Sequence, residues 1–437
     1  MSHKQRKVEL LSPAGTLKSQ HYAMAFGADA VYAGLPRYSL RVRNNDFNFD
    51  NLSVGIAAAH ALGKRFFVAV NIMPHGSKLK TFVADMAKIV ILKPDALIMS
   101  DPGLIMLVRE NWPEMPIHLS VQMNTVNAAA VRFWQDIGIE RIILSRELSL
   151  GEVEEIRQQC PDVELEVFVH GSLCIAYSGR CLLSGYFNHR DPNQGTCTNS
   201  CRWDYKMAGK ETEAGIEGEG QAFQAASRHQ DAHEVLLLEE TSRPGELMPI
   251  EEDEHGTYIM NSKDLRAVEH VSRLVEIGVD CLKIEGRTKS HYYAARTSQI
   301  YRQAIDDALA GREFNESLMG DLESLANRGY TDGFFVRHHS QELQRYNESA
   351  STAQRQMFVG EVMQKEDDGY FLVDVKNKFL VGDSLELLTP EGNISFTLSE
   401  MQDKDGKPLQ EAPGGGWKVK IPLPAEAGGF GLLVRDL

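Results

Sequence analysis

Long apolar runs alternate with segments of helical pattern along roughly the first 300 residues of the chain. The apolar runs are hydrophobic at nearly every position, which is typical of strands covered on both faces. They are VELLSP (8–13), DAVYAG (29–34), RFFVAVNI (65–72), DALIMSD (95–101), PIHLSVQ (116–122), RIILSR (141–146), ELEVFVHG (164–171), GTYIMN (256–261) and CLKIEG (281–286). Helices are predicted between them at 17–26, 49–62, 79–92, 127–136 and 150–159. Ser149 and Glu152 fit a capping box at the start of the last helix.

Repeated strand–helix units predict a parallel sheet with helices outside it. The number of repeats favours an α/β fold of the (β/α)8 type, a TIM-like barrel, over an open doubly wound sheet. The first strand is followed by SPAGTLKS, which lacks the G-x-G-x-x-G of dinucleotide-binding open sheets. The open sheet remains the alternative.

A second module begins near Met357, where short strand-like runs alternate with turn residues. This spacing predicts a small all-β barrel or sandwich over 357–437. The polar segment 338–356 is interpreted as a linker. We therefore predict a catalytic barrel domain over 1–337, with a cysteine-rich segment at 170–205 and a Gly- and Glu-rich insertion at 206–254.

Composition and charge narrow the class of protein. The chain is 43% hydrophobic and 24% charged, which is typical of a soluble globular protein. No apolar run approaches the ~20 residues of a membrane span, and the N-terminus lacks a signal sequence, so we expect a cytoplasmic protein without a membrane partner. The net charge of −15 argues against binding nucleic acid by bulk electrostatics, although it allows a local basic groove.

Four of the six cysteines lie in one segment, HGSLCIAYSGRCLLSGYFNHRDPNQGTCTNSC. They are Cys174, Cys181, Cys197 and Cys201. Three kinds of site compete for these cysteines. A zinc site usually has two close cysteine pairs, and a disulfide is disfavoured in the cytoplasm. An iron–sulfur cluster tolerates irregular spacing of four converging thiolates. The plain alternative is that these thiols are small buried side chains, as we expect for Cys160 and Cys281.

Polar side chains collect at the carboxyl ends of the predicted strands, where a (β/α)8 barrel carries its active site. The candidates for proton transfer and orientation are His170, Glu285 and Asn124. The candidates for gripping a carboxylate or phosphate are Arg287, Arg146 and Lys283. The competing interpretations are a satisfied buried histidine for His170, and surface ion pairs for Arg146 and Lys283.

A longer signature surrounds the first two cysteines of the segment. It is Glu166-x-Phe168-x-x-Gly171-Ser172-Leu173-Cys174-x-x-x-x-Gly179-x-Cys181-x-Leu183-Ser184. Further stretches agree with it: LLSPAG, ADAVYAG, HGTYIMNSKDL (255–265), LKIEGR (282–287) and NRGYTDGFF (327–335). By these motifs the chain resembles peptidase family U32, the collagenase-like proteases, over essentially its whole length, including a β-rich C-terminal module.

Within this family, the sequence resembles the branch that hydroxylates position 5 of the wobble uridine of tRNA, the first step towards 5-carboxymethoxyuridine. The resemblance implies tRNA as the partner and prephenate, a dicarboxylate, as the hydroxyl source in place of molecular oxygen. Other branches hydroxylate a ribosomal RNA cytidine or ubiquinone precursors, and the latter bind a [4Fe–4S] cluster through four cysteines. By this resemblance, Cys174, Cys181 and Cys197 match three cluster ligands. Arg266 occupies the position of the fourth cysteine of some relatives, so Cys201 is our candidate for it.

Two other classes of function stay open. The chain shows no recognisable Ser/His/Asp or Cys/His arrangement and no H-E-x-x-H, so a peptidase would need a cysteine nucleophile activated by a base such as His170. A non-catalytic scaffold with a structural zinc ion or cluster is the other alternative. The C-terminal module contains more acidic than basic residues, which argues against a strong phosphate clamp and suggests a protein partner.

Overall fold

A computed structural model describes residues 7–35, 37–40, 46–172, 263–327, 329–336, 356–427 and 429–437, together with the backbone of three strands within 173–262. The first half alternates strands and helices. The strands are β1 (Glu9–Pro13), β2 (Ala30–Gly34), β3 (Arg65–Val70), β4 (Ala96–Met99), β5 (Ile117–Leu119), β6 (Arg141–Ile143) and β7 (Glu164–Ser172). The helices are α1 (Leu17–Ala25), α2 (Phe49–Ala61), α3 (Gly76–Val90), α4 (Pro102–Asn111), α5 (Ala128–Asp136) and α6 (Leu150–Gln159).

Five of the six helices of this half, all except α3, begin after a residue whose side chain accepts a hydrogen bond from an amide of the first turn. Asp101 caps α4 and is followed by Pro102, whose missing N–H costs nothing at that position. Ser149 and Glu152 form the expected capping box at the start of α6. The sequence predicted the start of α6 because a capping box depends on residues that are close along the chain.

The second half continues after the cysteine-rich segment. Its elements are β8 (Leu236–Glu239), β9 (Leu247–Asp253), β10 (Gly256–Tyr258), β11 (Asp264–Arg266), α7 (Val271–Ile277), β12 (Cys281–Ile284), α8 (His291–Leu309), α9 (Ser317–Glu323) and β13 (Tyr330–Thr331). Strands β8, β9 and β10 form a separate antiparallel sheet. The strand predicted at 256–261 therefore does not belong to the barrel. Asp253 of β9 pairs with Gly256 of β10, and these two strands run antiparallel.

Eight parallel strands close into the barrel. Neighbouring strands pair in sequence from β1 to β7, and β12 closes the ring by pairing with both β1 and β7. The predicted (β/α)8-type fold is confirmed, and the open sheet was the wrong alternative. Beyond the ring, β11 pairs antiparallel with β7 and extends the sheet at the carboxyl end of that strand. Among the described residues, no helix is long and apolar enough to cross a membrane.

An antiparallel β domain forms the C-terminal region, as predicted. Its strands are β14 (Gln356–Lys365), β15 (Phe371–Val375), β16 (Phe379–Leu380), β17 (Ser384–Thr389), β18 (Gly392–Thr397), β19 (Met401–Gln402), β20 (Pro408–Leu409), β21 (Glu411–Ala412), β22 (Lys418–Ile421) and β23 (Leu432–Asp436). Eight of them form one sheet in the order β18-β17-β23-β14-β15-β22-β19-β20, and β16 pairs with β21. A separate hydrophobic core lies within this domain.

The C-terminal domain packs against helices α1 and α8 of the barrel. Glu361 accepts hydrogen bonds from Lys18 Nζ at 2.5 Å and from the Tyr22 hydroxyl at 3.0 Å. The Tyr292 and Phe358 rings stack with their centroids 4.8 Å apart. Most of these barrel residues lie in the first half of α1 or the first turn of α8. Because barrel helices begin at the carboxyl ends of the strands, the domain lies beside the face that carries active sites.

Candidate functional site

Four charged side chains meet inside the barrel, towards the amino-terminal ends of the strands. We call Glu9, Arg141, Glu166 and Lys283 the lower network. Arg141 Nη1 lies 2.5 Å from Glu9 Oε1 and 3.3 Å from Glu166 Oε2. Lys283 Nζ donates to Glu166 Oε1 at 2.7 Å. None of the four is more than 3% exposed, so each charge is balanced by protein partners rather than by water.

The electrostatics of the lower network follow from burial and pairing together. Burial alone would raise the pKa of Glu166, but Lys283 and Arg141 outweigh it and lower that pKa below its usual value. Burial, and then the Glu166 carboxylate, raise the pKa of the Cys281 thiol well above its usual value. Cys281 is therefore a protonated buried side chain, and Cys160 is also buried with a raised pKa.

A second group of charges lies at the carboxyl ends of the strands, which we call the mouth. Arg146 Nη2 donates to Glu285 Oε2 at 3.0 Å, and the Arg146 guanidinium lies 3.9 Å from the centroid of the Phe168 ring. The side chain of Arg146 is 11% exposed, and that of Glu285 is 19% exposed. This ion pair is thus only partly shielded, and stacking on an aromatic ring fixes its cation.

Arg287 lies at the same end of the barrel and is held by the loop after β2. Its guanidinium donates to Ser39 Oγ at 2.6 Å and to Leu40 O at 2.7 Å. A Cβ atom at Gly34 would collide with Ser39 and with the Arg287 guanidinium. The close contact of these two side chains with the backbone at position 34 therefore requires glycine. Arg287 carbon Cζ lies 5.6 Å from the Tyr32 ring centroid.

Lys283 connects the two levels of the barrel. Below, its ammonium is bonded to Glu166 of the lower network. Above, the same nitrogen lies 4.4 Å from the Tyr32 ring centroid and 5.3 Å from that of Phe168. Lys283 is 3% exposed, so its ion pair lies in the interior and not on the surface.

His170 lies near the carboxyl end of strand β7, in an aromatic cage. Its ring centroid lies 5.8 Å from that of Tyr293 and 5.5 Å from those of Tyr301 and Tyr330. Its Nδ1 is 3.3 Å from the Tyr301 hydroxyl, which donates to Val169 O at 2.7 Å. Burial lowers the pKa of His170 to about 3, so the imidazole is neutral at physiological pH. Such a ring is a weak base, and it resembles the buried histidine of the competing interpretation.

Asn124 follows a short 3-10 turn, Val121–Met123, after β5. Its backbone is left-handed, with φ 50° and ψ 50°, a conformation that asparagine tolerates better than most residues. Its side-chain Nδ2 donates to Gln122 O at 2.9 Å. The residue therefore shapes the loop at the mouth, between the ends of β5 and β6.

The four clustered cysteines lie outside the described residues, but both ends of their segment are defined. The chain leaves β7 at Ser172 and returns at Asp264 of β11, and these two residues are paired. Gly171 has φ 106°, and a Cβ atom there would lie 2.5 Å from Glu285 O, so the exit requires glycine. The segment is therefore anchored at the mouth, beside the charged residues that follow β12.

Arg266 stands opposite His170 in the pairing of β11 with β7. Its guanidinium donates to Glu323 Oε1 at 3.2 Å and lies 4.9 Å from the Tyr330 ring centroid. These contacts anchor Arg266 against α9 and the aromatic cage of His170.

Some candidates converge and others lie apart. Arg146, Glu285, Arg287 and Lys283 surround the Tyr32 and Phe168 rings, whereas His170 faces the tyrosine cage. Two further polar residues lie at the mouth, Gln122 and Thr125, both 2% exposed. The sequence marks Gln122 only as a polar residue at the end of a predicted strand, without a role, and does not single out Thr125. Their signal was weak, since polar residues after a strand are usually turn residues.

One more group of potential metal ligands lies near the start of α7. His270 Nε2 is 3.1 Å from Asp332 Oδ2 and 3.5 Å from Glu269 Oε1. The three side chains are partly buried and within reach of one ion. The arrangement is accounted for by ion pairing that ties the loop after β13 to α7.

Family models match both parts of the chain. The model of peptidase family U32 matches residues 15–345, and the model of the U32 C-terminal domain matches residues 354–435. The first match contains the whole barrel apart from β1, and the second contains the antiparallel domain almost completely.

Curated relatives extend over nearly the same length. The chain is 60% identical to tRNA hydroxylation protein P of Escherichia coli, over 98% of this chain and 97% of the relative. It is 57% identical to tRNA hydroxylation protein P of Haemophilus influenzae, over 99% of this chain and 97% of the relative. A 23S rRNA 5-hydroxycytidine synthase of Escherichia coli is 29% identical over 77% of this chain and 44% of the relative. By its family models and by these relatives, the chain belongs to peptidase family U32.

Proposed function

We propose that the protein is an RNA-modifying enzyme that hydroxylates tRNA at position 5 of the wobble uridine. The observation that carries this proposal is the 60% identity, over almost the full length of both chains, to a tRNA hydroxylation protein. The 23S rRNA 5-hydroxycytidine synthase among the relatives supports pyrimidine hydroxylation as the shared chemistry. The barrel mouth, with its fixed cations and aromatic rings, is where we expect the reaction.

Hydroxylation replaces a C–H bond at position 5 of the uracil ring by C–OH, which is a two-electron oxidation. A donor X–OH that becomes X–H balances both atoms and electrons. We propose prephenate as this donor, because a dicarboxylate suits the cations of the mouth. Arg146 and Arg287 present guanidinium groups there, and guanidinium binds carboxylates through two parallel hydrogen bonds.

We further propose that Cys174, Cys181, Cys197 and Cys201 hold a [4Fe–4S] cluster. Four thiolates are the donor set that such a cluster takes. A position near the mouth is supported by the pairing of Ser172 with Asp264, because the segment that carries the cysteines starts from that pair. A bound cluster would supply electron transfer for the oxidation. Arg266 occupies the place where some relatives carry a cysteine, and its position across from His170 puts that place at the same end of the barrel.

The described cationic side chains of the mouth would bind and orient the substrates. Glu285 and Phe168 hold the Arg146 guanidinium in one orientation, and Ser39 and Leu40 do the same for Arg287. Binding groups held in advance lose less conformational entropy when the substrate arrives. Glu285 is the better candidate for proton transfer, since His170 is buried with a pKa of about 3.

The C-terminal domain is proposed to extend the binding surface for tRNA or for a protein partner. It packs on the beginnings of α1 and α8, which lie at the mouth. Its excess of acidic residues favours contacts other than a continuous phosphate clamp. We expect the enzyme to act in the cytoplasm, where tRNA is modified.

Nucleoside mass spectrometry of tRNA from a deletion strain tests the function. Wild-type protein should restore 5-hydroxyuridine derivatives, and Cys174→Ala should abolish them together with bound iron and sulfide after anaerobic purification. Cys160→Ala is the matched control, because Cys160 is a buried thiol at the end of α6, outside the cluster segment, and it should retain both. Unchanged nucleosides in the deletion strain would refute the tRNA assignment. Cys174-dependent peptide hydrolysis would support the peptidase alternative instead.

A further inference from the structure

Unpartnered polar atoms concentrate in the short segment that begins in β5. His118 Nδ1, Gln122 Nε2 and Thr125 Oγ1 are buried and have no hydrogen-bond partner among the residues that the structure describes. Native proteins satisfy most buried polar groups, so each exception calls for a reason. His118 pairs in register with Arg141 and thus belongs to the level of the lower network. Gln122 and Thr125 lie beyond the end of β5, at the mouth.

Backbone contacts fix where these two residues lie. Ser120 N donates to Met99 O at 2.7 Å, which places the segment at the carboxyl end of β4. Ser145, which immediately precedes Arg146, donates its backbone N–H to Thr125 O at 3.2 Å. This hydrogen bond places Thr125 beside the end of β6. Gln122 and Thr125 therefore lie at the mouth, as Arg146 and Arg287 do.

The carboxamide of Gln122 is held at one end. The Ser120 hydroxyl donates to Gln122 Oε1 at 2.9 Å, and both residues are 2% exposed. The amide nitrogen of Gln122 has no hydrogen-bond acceptor among the residues that the structure describes. Thr125 likewise offers a hydroxyl that makes no side-chain hydrogen bond within the described chain. Both are neutral groups held in fixed positions.

We propose that Gln122 and Thr125 contact the carbonyl oxygens of the target pyrimidine, and so select and orient the base; this rests on the proposed function. A neutral amide and a neutral hydroxyl suit a carbonyl group, whereas the carboxylates of the co-substrate are matched by Arg146 and Arg287. Enzymes that modify a base take it out of its stack and insert it into the protein, so buried recognition groups are the expected kind.

Thr125→Val is the decisive variant. It keeps the shape of the side chain and removes a hydroxyl that makes no hydrogen bond to the described part of the chain, so the melting temperature should stay constant or rise. At limiting expression in the deletion strain, the fraction of hydroxylated wobble uridine should fall about tenfold, because a hydrogen bond to the base is lost. Gln122→Leu should lower it further, about 100-fold.

Ser120→Ala is the matched control for Gln122. It breaks the same Ser120–Gln122 hydrogen bond but keeps the amide, so its loss should be smaller than that of Gln122→Leu. Prephenate alone, titrated against each purified variant by thermal shift, should stabilise Thr125→Val as strongly as wild type. The result for Thr125→Val can be interpreted even if Gln122→Leu fails to fold.

Three results would overturn the proposal. The first is full hydroxylation by Thr125→Val, which would mean that the hydroxyl meets only water. The second is a loss of prephenate stabilisation in Thr125→Val, which would assign these residues to the co-substrate. The third is a wild-type protein that restores no hydroxylated uridine; this result removes the proposed function itself and is distinguished from the other two by the wild-type sample.

Discussion

The lower network and the mouth use similar side chains in opposite ways. In the lower network, Glu9, Arg141, Glu166 and Lys283 face one another, and none is more than 3% exposed. At the mouth, the Arg146–Glu285 pair is partly open to solvent, and Gln122 and Thr125 have side-chain atoms without partners among the described residues. Charges that balance each other are explained by the fold alone. The unpartnered atoms of Gln122 and Thr125 lie at the end of the barrel that carries active sites, and there they point to a ligand.

The lower network is also unusual for a barrel. Interiors of (β/α)8 barrels are mostly filled by branched apolar side chains, and charges taken from water carry a large desolvation cost. Here Arg141 offsets that cost by facing Glu9, Glu164 and Glu166 at once. We infer that the network closes the barrel below the mouth and supports the residues above it through Lys283.

Arg141→Met should produce the largest effect and tests whether the lower network is structural. It leaves Glu9 and Glu166 buried with one cation fewer, which costs about 3–5 kcal/mol when a buried pair is broken. We expect little soluble protein, or a free energy of unfolding lowered by that amount in urea titrations. Glu164→Gln is the control, because Glu164 is 48% exposed on its side chain and should cost less than about 1 kcal/mol. Equal stability of both variants would contradict the comparison.

Lys283→Met tests to which of the two regions this residue belongs. If its main role is pairing with Glu166, the variant should lose about 3 kcal/mol of stability, since Arg141 still faces that carboxylate. The double variant Lys283→Met with Glu166→Leu should recover most of this loss, because no buried charge is left over. A stable single variant that fails only in tRNA hydroxylation would instead assign Lys283 to substrate binding.

Arg146→Gln should show the reverse pattern at the mouth. A charge-assisted hydrogen bond to a carboxylate is worth about 1.5–3 kcal/mol, so hydroxylation of tRNA should fall roughly 10- to 100-fold. Stability should fall by about 1 kcal/mol or less, since the pair with Glu285 is partly exposed. Arg157→Gln is the matched control away from the mouth, because Arg157 donates to the Cys160 and Val163 carbonyls. Arg157→Gln should lose stability while keeping activity. Loss of activity in both variants would contradict the assignment of binding to the mouth alone.

The barrel was predictable because its signal is local in sequence. Continuous apolar runs, helical patterns and capping residues such as Asp101 and Ser149 each lie within one element. The lower network was not predictable, since Glu9 and Arg141 are separated by 132 positions and meet only after the ring closes. Lys283 was accordingly interpreted as a binding residue or a surface ion pair, and its buried partner Glu166 was recognised only as part of a family signature.

The mouth was predictable in part, for the same reason. Carboxyl ends of parallel strands must converge, so Arg146, Glu285 and Arg287 could be grouped from their positions after strands. Gln122 and Thr125 could not be separated from ordinary turn residues, because the sequence does not show which buried atoms lack partners. His170 was left between three interpretations, and its cage is built by tyrosines that lie more than a hundred residues along the chain.

The smallest predicted effect concerns His170. This residue lies at the mouth but is buried from solvent, like the residues of the lower network. Its pKa is lowered from 6.5 to about 3, so the unfolded chain binds a proton that the folded protein does not between these values. Stability contributed by neutral His170 is therefore fully present above pH 6.5 and is lost as the pH falls towards 3, by up to about 1.4 kcal/mol per pH unit.

His170→Phe should remove this slope. Between pH 7 and pH 5, the free energy of unfolding should fall by about 2 kcal/mol more in wild type than in the variant. Tyr301→Phe is the control: it keeps the histidine and removes the hydroxyl near Nδ1, and it should retain the slope because burial is the main cause of the shift. A wild type and a His170→Phe variant with the same acid dependence would show that the cage admits a proton, and His170 would then return to the candidates for proton transfer at the mouth.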